Sequence, residues 1–455
     1  MKREELPAGE IAVLGLAKSG TAVARLLLND GRKVYVSDAA SSDATRKNAE
    51  SLGALGADAV AGSHDLARIS RAALVVASPG IPPNAPPLSA ARGAGVRIVS
   101  EIEIALRYLR SSRVIAVTGT NGKTTTTALV GHILRGLGVD AVDAGNIGTP
   151  LAEIALRDPQ PAWIALEMSS FQLHDTPGLD PAVGVLTNLS PDHLDRYPTV
   201  TEYYDDKARL FGNASNASRW VLNADDDRVL AMAADIRGDK SLFSIRRLGH
   251  AWLDQSSGWL VLLGEELLER NELHLLGDHN VANALAAALA VSVADDAFRT
   301  NEARAQVREA LRTFNPLAHR LEIVAERNGV QWINDSKATN VSSTLVAIQA
   351  MRRPTILLLG GRHKGEPYTS LADAIRKRVK HVIAFGEAGP VVEKDLAGTV
   401  PIDLLGADFD AVIRRARDLA APGDAILLSP ACSSFDMFRN YEERGARFRL
   451  LAAES

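Results

Sequence analysis

A lysine and a run of hydroxyl residues end one short glycine-bearing segment, Ile115-Ala-Val-Thr-Gly-Thr-Asn-Gly-Lys-Thr-Thr-Thr126. An apolar strand pattern that leads through glycines into a helix is typical of a phosphate-binding loop. Glycines let backbone N–H groups approach an anion closely, and the start of the following helix attracts negative charge. In such a loop Lys123 contacts the β- and γ-phosphates of a nucleotide, and Thr124 offers its hydroxyl to Mg²⁺. The segment therefore predicts a site for a nucleoside triphosphate with magnesium.

The loop is shorter than the usual phosphate-binding loop. The common spacing has a glycine at position 117, where this chain has Val117, so the turn depends on Gly119 and Gly122. A glycine-rich turn with an incidental lysine is the alternative, but the order of strand, Gly-Lys-Thr and helix favours phosphate binding. The predicted nucleotide contacts are Gly119, Thr120, Asn121, Gly122, Lys123, Thr124 and Thr125.

Two further residues stand where a magnesium site needs ligands. Glu167 follows the apolar stretch Trp163-Ile-Ala-Leu166, and ligands of parallel sheets collect at the carboxyl ends of strands. A carboxylate buried there is costly unless it is paired or bound to a metal. His193 follows a second strand pattern and is flanked by Asp192 and Asp195. A lone histidine is more often structural, so the residue types leave a ligand role and a structural role for His193 open.

Alternating apolar runs and helical patterns must position these groups. Runs rich in Val and Ile without clean alternation, such as Ile11-Ala-Val-Leu14 and Ala73-Leu-Val-Val-Ala77, predict strands buried on both faces of parallel sheets. The stretch Asp239 to Leu276 differs, since turn signals and two tryptophans indicate short antiparallel strands. A chain of 455 residues is too long for one core. We expect three α/β domains in series, at residues 1–110, 111–315 and 316–455.

The composition argues against several classes of protein. The chain is 46% hydrophobic and 23% charged with a net charge of −4, so it lacks the excess of Lys and Arg of a nucleic-acid-binding surface. The single cysteine, Cys432, cannot form an internal disulfide, which suits a reducing cytoplasm. The start of the chain has no signal-peptide pattern, and no apolar stretch is long enough to cross a bilayer. We expect a cytoplasmic monomer that neither binds nucleic acid nor inserts into membranes.

Five separated motifs together resemble those of the Mur ligases, the ATP-dependent amide-forming enzymes of peptidoglycan synthesis. They are Thr118-Gly-Thr-Asn-Gly-Lys-Thr124, Gly145-Asn-Ile-Gly148, Glu167-Met-Ser-Ser-Phe-Gln172, Asn188 to Asp195, and His279-Asn-Val-Ala-Asn283. The shortened phosphate loop is the form that this family uses. Nearer the C-terminus, two further motifs resemble those of the family members that add glutamate. These are Asn334-Asp-Ser-Lys-Ala-Thr-Asn340 and Leu428-Ser-Pro-Ala-Cys-Ser-Ser-Phe-Asp436.

The resemblance covers nearly the whole chain and implies a fold and a reaction. The fold would be a Rossmann-like domain for the UDP end of the substrate, a central P-loop ATPase domain, and a Rossmann-like C-terminal domain for glutamate. The reaction would join glutamate to UDP-N-acetylmuramoyl-L-alanine through an acyl phosphate, giving ADP and phosphate. The family implies D-glutamate, although the residues alone leave the enantiomer open.

Matched positions also imply two magnesium sites and a modified lysine. Thr124 and Glu167 would hold one Mg²⁺ ion, and His193 would hold the second. Lys207 matches the lysine that is carbamylated in this family, a change that turns a cation into an anionic metal ligand. The resemblance thus implies that Lys123, His193 and Lys207 are catalytic residues.

Other matched positions imply contacts with the nucleotide and with the two acceptor substrates. Those matched to nucleotide contacts are Asn283, Arg320 and Asp335. Those matched to the muramoyl and glutamate ends are Asn146, Ser169, His193, Lys337, Thr339, Lys364, Ser434 and Phe435.

The N-terminal segment Gly15-Leu-Ala-Lys-Ser-Gly20 nearly matches the dinucleotide-binding fingerprint. Ala17 replaces the glycine that lets the backbone approach a pyrophosphate, and this weakens a nicotinamide interpretation. Helix-start N–H groups can still bind the pyrophosphate of UDP, which the family resemblance favours over a purely structural turn. The predicted contacts of the UDP end are Gly15, Lys18, Ser19, Asp38, Ser78 and Gly80.

Three other functions remain as alternatives at this point. A folylpolyglutamate synthase also adds glutamate, but it would lack the N-terminal UDP-type block. A nicotinamide oxidoreductase would use the N-terminal loop, against which Ala17 argues. A non-catalytic nucleotide-binding regulator would tolerate loss of the magnesium residues, yet Lys123, Thr124, Glu167 and His193 are all present.

Overall fold

The computed structural model describes residues 6–192 and 196–454 of the chain. Within those ranges the strands form three sheets, of five, nine and six strands. The α/β class expected from the alternating patterns is confirmed. The chain divides into two compact units, one up to residue 272 with 282–312, and one of 273–281 with the residues from 313 onward. The first unit holds the first two sheets, and the boundaries predicted at residues 110 and 315 stay predictions.

The first sheet is parallel throughout and has the strand order β3-β2-β1-β4-β5. Its strands are β1 (Ile11–Leu14), β2 (Val34–Asp38), β3 (Asp58–Ala61), β4 (Leu74–Ala77) and β5 (Ile98–Ser100). The helices are α1 (Lys18–Asn29), α2 (Asp43–Gly53), α3 (Leu66–Ile69), α4 (Pro86–Gly93) and α5 (Glu101–Tyr108). The strand order reverses between β1 and β4, and a crevice for ligands forms at such a point.

The second sheet has the order β14-β13-β12-β11-β10-β9-β6-β8-β7. Its strands are β6 (Arg113–Thr118), β7 (Ala141–Gly145), β8 (Trp163–Glu167), β9 (Val183–Leu186), β10 (Arg219–Asn223), β11 (Asp239–Ser244), β12 (Ala251–Leu253), β13 (Trp259–Leu262) and β14 (Glu265–Glu269). The accompanying helices are α6 (Lys123–Gly136), α7 (Leu151–Ala155), α8 (Ser170–His174), α9 (Val200–Ala208), α10 (Asp227–Met232), α11 (Asp278–Ala294) and α12 (Asn301–Thr313).

The antiparallel prediction for Asp239 to Leu276 is right for β12, β13 and β14 and wrong for β11. β11 pairs in parallel with both β10 and β12. The reason is that α10 lies between β10 and β11 and returns the chain to the same end of the sheet, as a crossover connection does. Only the later strands are joined by tight turns.

Buried polar groups join the first sheet to the second within the first unit. α5 packs against α7, and the buried carboxylate of Glu101 accepts a hydrogen bond from the backbone N–H of Ala152. Glu103 accepts one from Gly178 N at 2.8 Å, and Ser100 Oγ lies 2.6 Å from Thr176 Oγ1. Apolar residues of both sheets also share one hydrophobic core. The two parts of this unit are therefore held by packing as well as by the chain.

The third sheet has the order β15-β16-β20-β17-β18-β19, and only the edge strand β15 is antiparallel to its neighbour. Its strands are β15 (Glu322–Arg327), β16 (Val330–Asn334), β17 (Thr355–Gly360), β18 (Val379–Phe385), β19 (Ile402–Leu404) and β20 (Ala425–Leu428). Its helices are α13 (Val341–Ala350), α14 (Ala372–Arg378), α15 (Gly389–Asp395), α16 (Phe409–Leu419) and α17 (Tyr441–Ala453). In the described part of the chain, no helix combines the length and the apolar character that crossing a membrane requires.

Candidate active site

The segment predicted to bind phosphate lies at the carboxyl end of β6, between β8 and β9. Gly119 has φ +143°, and a Cβ there would lie 2.0 Å from Thr187 Oγ1. Gly122 has φ +82°, and its Cβ would lie 2.3 Å from Asn283 Oδ1. Both glycines are therefore required by conformation and by close contacts. α6 starts directly after this loop, so its first N–H groups have no partner within the helix and are suited to an anion.

Asn188, which follows β9, braces the phosphate loop on three sides. Its Oδ1 accepts a hydrogen bond from Asn121 N at 2.9 Å, and its Nδ2 donates to Asn121 O at 2.9 Å. Its carbonyl accepts from Thr120 N, also at 2.9 Å. These three hydrogen bonds fix the conformation of the loop at Thr120 and Asn121. The sequence places Asn188 within a motif but does not reveal this role, because a supporting side chain is recognised only from its hydrogen-bond partners.

Two lysine side chains meet at the carbonyl oxygen of Gly119. Lys123 Nζ donates to Gly119 O at 3.0 Å and to Thr120 O at 2.7 Å, so it is folded over its own loop. Lys207 Nζ donates to the same Gly119 O at 2.7 Å and lies 4.7 Å from the centroid of the Tyr203 ring. The structure therefore brings together two residues that are far apart in the sequence and that were both expected to be catalytic.

Lys207 is 1% exposed. Burial holds the pKa of its amino group well below the ordinary value for lysine, and the neighbouring Lys123 lowers the pKa further. Nearby carboxylates, among them Asp192 and Glu167, act in the opposite direction. The Lys207 amine is consequently neutral more readily than an ordinary lysine amine.

Glu167 ends β8 beside the phosphate loop and is 1% exposed. Its Oε1 accepts a hydrogen bond from Asn146 Nδ2 at 2.7 Å. Its Oε2 is buried and has no hydrogen-bond partner among the described residues. An unpaired carboxylate oxygen in such a place has the chemistry of a cation ligand, and the metal role of Glu167 stays a prediction.

The remaining predicted residues of the central site have different surroundings. Thr124 and Thr125 are both buried in the first turn of α6. Ser169 caps α8, and its hydroxyl and the Gln172 side chain form a reciprocal capping box. Asn283 Oδ1 accepts a hydrogen bond from Thr126 Oγ1 at 3.2 Å and so packs against the start of α6. His193 lies outside the described residues.

The N-terminal loop forms a second candidate site at the carboxyl end of β1. Gly15 has φ +107°, and a Cβ on Gly20 would lie 2.0 Å from Gly15 O. Asp38 accepts hydrogen bonds from Leu16 N and Ala40 N, each at 2.8 Å. Ser78 Oγ is buried and, within residues 6–192 and 196–454, has no partner. The predicted contacts Lys18 and Ser19 form the first turn of α1, and Gly80 follows β4.

Asp335 is the one acid among the predicted residues of the second compact unit, and it is buried. It accepts hydrogen bonds from Ser429 Oγ at 2.8 Å and from Leu321 N at 3.2 Å. Burial raises the pKa of its carboxyl to about 7, although both hydrogen bonds act against that rise. Arg320 lies two residues before β15, and its charge also acts to lower the pKa of Asp335.

The residues predicted to surround glutamate lie on three loops of the third sheet. Lys337 Nζ lies 5.1 Å from the centroid of the Tyr441 ring, and Lys364 is exposed. Ser434 is buried, whereas the neighbouring Phe435 is 60% exposed. Thr339 is half-buried. These loops follow β16, β17 and β20, and the binding roles of the five residues stay predictions.

Arg444 is a buried cation that the sequence reasoning missed. Its guanidinium donates hydrogen bonds to Ser336 Oγ at 2.9 Å, to Ser336 O at 2.7 Å and to Cys432 O at 3.1 Å. It therefore joins the two motifs that were matched to glutamate binding. An arginine within a polar helix pattern gives no local signal of such burial.

Models of three protein domains match successive parts of the chain. They are described as the Mur ligase MurD-like N-terminal domain at residues 9–100, the Mur ligase middle domain at 117–291, and the Mur ligase glutamate ligase domain at 319–432. Relatives named UDP-N-acetylmuramoylalanine–D-glutamate ligase match over nearly the full length. The protein of Anaeromyxobacter dehalogenans is 42% identical over 100% of this chain and 99% of its own. That of Myxococcus xanthus is 39% identical over 97% of both.

The chain belongs to the Mur ligase family.

Solved structures agree with this Mur ligase fold. The MurF ligase of Thermotoga maritima, solved with ADP, has a TM-score of 0.62 and 16% identity, covering 93% of this chain and 94% of that one. A pseudomurein peptide ligase of Methanothermus fervidus has a TM-score of 0.59 and 21% identity, covering 97% and 99%. At these identities the likeness shows the fold alone. The expected arrangement of an N-terminal, a central ATPase-type and a C-terminal Mur ligase domain is confirmed.

Proposed function

We propose that this Mur ligase joins D-glutamate to UDP-N-acetylmuramoyl-L-alanine with cleavage of ATP to ADP and phosphate. The observation that carries the proposal is the phosphate loop, where Lys123 and Lys207 converge on Gly119 O. Relatives named for this reaction match all of the chain and not only the nucleotide domain. The match of residues 9–100 to a MurD-like N-terminal domain disfavours both a folylpolyglutamate synthase and a nicotinamide oxidoreductase.

In the first step a carboxylate oxygen of the alanyl group attacks the γ-phosphorus of ATP. The bond from that phosphorus to the β-phosphate bridging oxygen breaks, and ADP leaves. Lys123 Nζ lies over the phosphate loop, where it would contact the phosphoryl oxygens and stabilise the developing charge. The first N–H groups of α6 and the braced loop hold the phosphates in place.

The residues around Glu167 fit a divalent cation. Thr124 and Glu167 would hold one Mg²⁺ ion, and His193 and Lys207 would contribute to the second site. Bound there, magnesium neutralises the phosphate charge as the phosphoryl group moves. Asn146 keeps one Glu167 oxygen occupied, so the other oxygen is left for the ion.

Lys207 would act as a carbamate. A neutral amine adds to CO₂ with loss of one proton, and the buried Lys207 side chain with its lowered pKa supports that state. The carbamate would turn this cationic side chain into an anion that could hold the second cation. Lys207 therefore has a role that an exposed lysine would not have.

In the second step the neutral amine of glutamate attacks the acyl phosphate carbon, and the bond from that carbon to the phosphate oxygen breaks. The amine gives up one proton, to His193 or to an oxygen of the leaving phosphate. Glutamate would be bound by residues on loops of the third sheet, because cations and hydroxyl donors suit its two carboxylates. These residues are Lys337, Thr339, Lys364 and Ser434, together with the neighbouring Phe435.

The UDP group of the other substrate would be bound by residues of the N-terminal site, namely Gly15, Lys18, Ser19, Asp38, Ser78 and Gly80. Asn146 and Ser169 would lie near the muramoyl part, and Asn283, Arg320 and Asp335 would contact the nucleotide. We expect a cytoplasmic monomer.

Phosphate release with UDP-N-acetylmuramoyl-L-alanine and ATP tests the proposal when each glutamate enantiomer is supplied in turn. We expect release with D-glutamate and a new amide product detected by mass spectrometry. Release without amide formation, or equal rates with both enantiomers, would contradict the assignment. A parallel reaction with an added nicotinamide cofactor should leave the rate unchanged.

A further inference from the structure

The helix that carries Lys207 is short and depends on neighbouring elements for its orientation. α9 has nine residues, and an isolated helix of that length is marginal in water. Two of its residues, four positions apart and so on one face, contact the phosphate loop. Tyr203 OH donates to Thr120 Oγ1 at 3.2 Å, and Lys207 Nζ donates to Gly119 O at 2.7 Å. Whatever fixes α9 therefore also fixes the loop.

Asp206, the residue before Lys207, anchors α9 to neighbouring segments. It is 8% exposed and receives three hydrogen bonds. His174 Nδ1 lies 2.7 Å from Oδ1, and Arg209 Nε donates to the same oxygen at 3.0 Å. Tyr197 OH donates to Oδ2 at 2.9 Å. Both oxygens of this carboxylate are thus engaged by residues from three parts of the chain.

The partners of Asp206 belong to the surroundings of the active site. His174 ends α8, the helix that Ser169 caps after Glu167. The Tyr197 ring stacks on Phe171 of α8 with centroids 5.1 Å apart. It also meets the Tyr203 ring edge-on at 5.3 Å. One carboxylate therefore ties the helix after Glu167 to the helix that holds Lys207.

We propose that Asp206 is a positioning residue of the ligase. Its three hydrogen-bond partners are protein side chains, and through them it holds α9 so that Tyr203 and Lys207 keep the phosphate loop in its nucleotide-binding shape. The inference rests on the proposed function for its kinetic readout, but it makes a separate claim about ATP affinity. Asp205, its exposed neighbour, supplies a matched control with the same charge and nearly the same place in the sequence.

The test compares Asp206→Ala with Asp205→Ala in the full chain. ATP affinity is measured by calorimetry without the other substrates, and kcat and KM are normalised to the folded fraction from circular dichroism. For D206A we expect kcat to fall on the order of 10²-fold, the size expected from displacing a reacting group by about 1 Å. The Kd for ATP should rise about tenfold, which is about 1.4 kcal/mol. The KM for glutamate should stay within about twofold, since one altered contact need not propagate to that site.

Two milder variants keep the test decisive if D206A folds poorly. Tyr197→Phe removes one of the three donors and should weaken ATP binding by about threefold, the usual size for one hydrogen bond. Asp206→Asn keeps the shape and should fall between Y197F and D206A. ATP affinity and normalised kcat equal to those of D205A in all three variants would overturn the inference, as would an equal rise in the KM of every substrate. If the unaltered protein binds ATP but makes no amide, the proposed function fails while the affinity series still tests Asp206.

Discussion

Two loops of the first compact unit each leave a central strand and enter a helix, yet they are stabilised in different ways. The loop after β6 is braced by side chains of other segments, namely Thr187, Asn188 and Asn283. The loop after β1 is held at Leu16, whose N–H donates to Asp38 and whose carbonyl accepts from Asn48 Nδ2 at 2.8 Å, and by close packing of glycine on backbone. Both present the start of a helix to a ligand.

This difference agrees with the proposed functions of the two loops, which are pyrophosphate binding for the loop after β1 and phosphoryl transfer for the loop after β6. Binding a pyrophosphate needs N–H groups and shape, which glycines and one fixed carboxylate can provide. Transferring a phosphoryl group also needs amino groups and a cation site at fixed positions, because the charge moves during the reaction. The bracing around Lys123 and the buried Glu167 supply that rigidity, and the N-terminal loop has no counterpart of Glu167 among its described contacts.

The largest expected effect comes from replacing the lysine that begins the helix after each loop. These lysines are Lys123 at the start of α6 and Lys18 at the start of α1. Lys123→Ala should lower kcat on the order of 10³-fold, because a donor to the transferring group is lost. Phosphate release under saturating substrates measures it. Lys18→Ala is the control and should mainly raise the KM of the UDP substrate. Equal losses of kcat in both variants would end the distinction between a transferring loop and a binding loop.

A second prediction concerns the contact that joins the two halves of the first unit. Burial raises the pKa of Glu101 to about 7, above its value in an unfolded chain. The folded state therefore binds this proton more tightly, so stability is lost as pH rises from about 4.5 to about 7, by roughly 3 kcal/mol at most. Glu101→Gln should remove that part of the pH dependence in urea unfolding curves. An unchanged pH profile would show that Glu101 is charged in the folded protein.

Asp38→Ala tests how the N-terminal loop is held. Without the acceptor for Leu16 N, the loop loses its fixed shape, and the KM of the UDP substrate should rise about tenfold. The kcat should change by less than about threefold, because the phosphate loop is untouched. Asp43→Ala, which removes a fully exposed acid from α2, serves as the control. A large fall in kcat with a normal KM would contradict a binding role.

The smallest expected effect is that of Ser78→Ala. Its buried hydroxyl has no partner among the described residues, so its removal should change the free energy of unfolding by less than about 0.5 kcal/mol. If the Ser78 hydroxyl donates a hydrogen bond to the pyrophosphate of the UDP substrate, the KM of that substrate should rise about threefold. A clear gain in stability with no change in KM would assign Ser78 to neither loop function.

The sequence predicts the buried strands well and the edges poorly. The prediction for Ile11–Leu14 has the bounds that the structure has, because a continuous apolar run fits a strand buried on both faces. β3 (Asp58–Ala61) was not foreseen, since it is a short edge strand with largely accessible side chains and no distinguishing pattern. The direction of β11 depends on where α10 returns the chain, which a local pattern cannot reveal.

The residues of the candidate site also differ in whether the sequence alone can predict them. The phosphate loop and Glu167 are marked by residue types at the end of a strand, so they could be predicted. Asp205 and Asp206 are identical in type and adjacent, yet one is exposed and the other receives three hydrogen bonds. Only the partners from α8 and from the segment before α9 distinguish them, and these are set by tertiary structure. The role of His193 stays a prediction.

Gly119 O is the shared hydrogen-bond acceptor of two lysine side chains, those of Lys123 and Lys207. Besides burial, the charge on Lys123 contributes to the low pKa of the Lys207 amine. Any ligand that moves the Lys123 amino group away from this carbonyl would therefore change the proton affinity of Lys207, so the two lysines are thermodynamically linked.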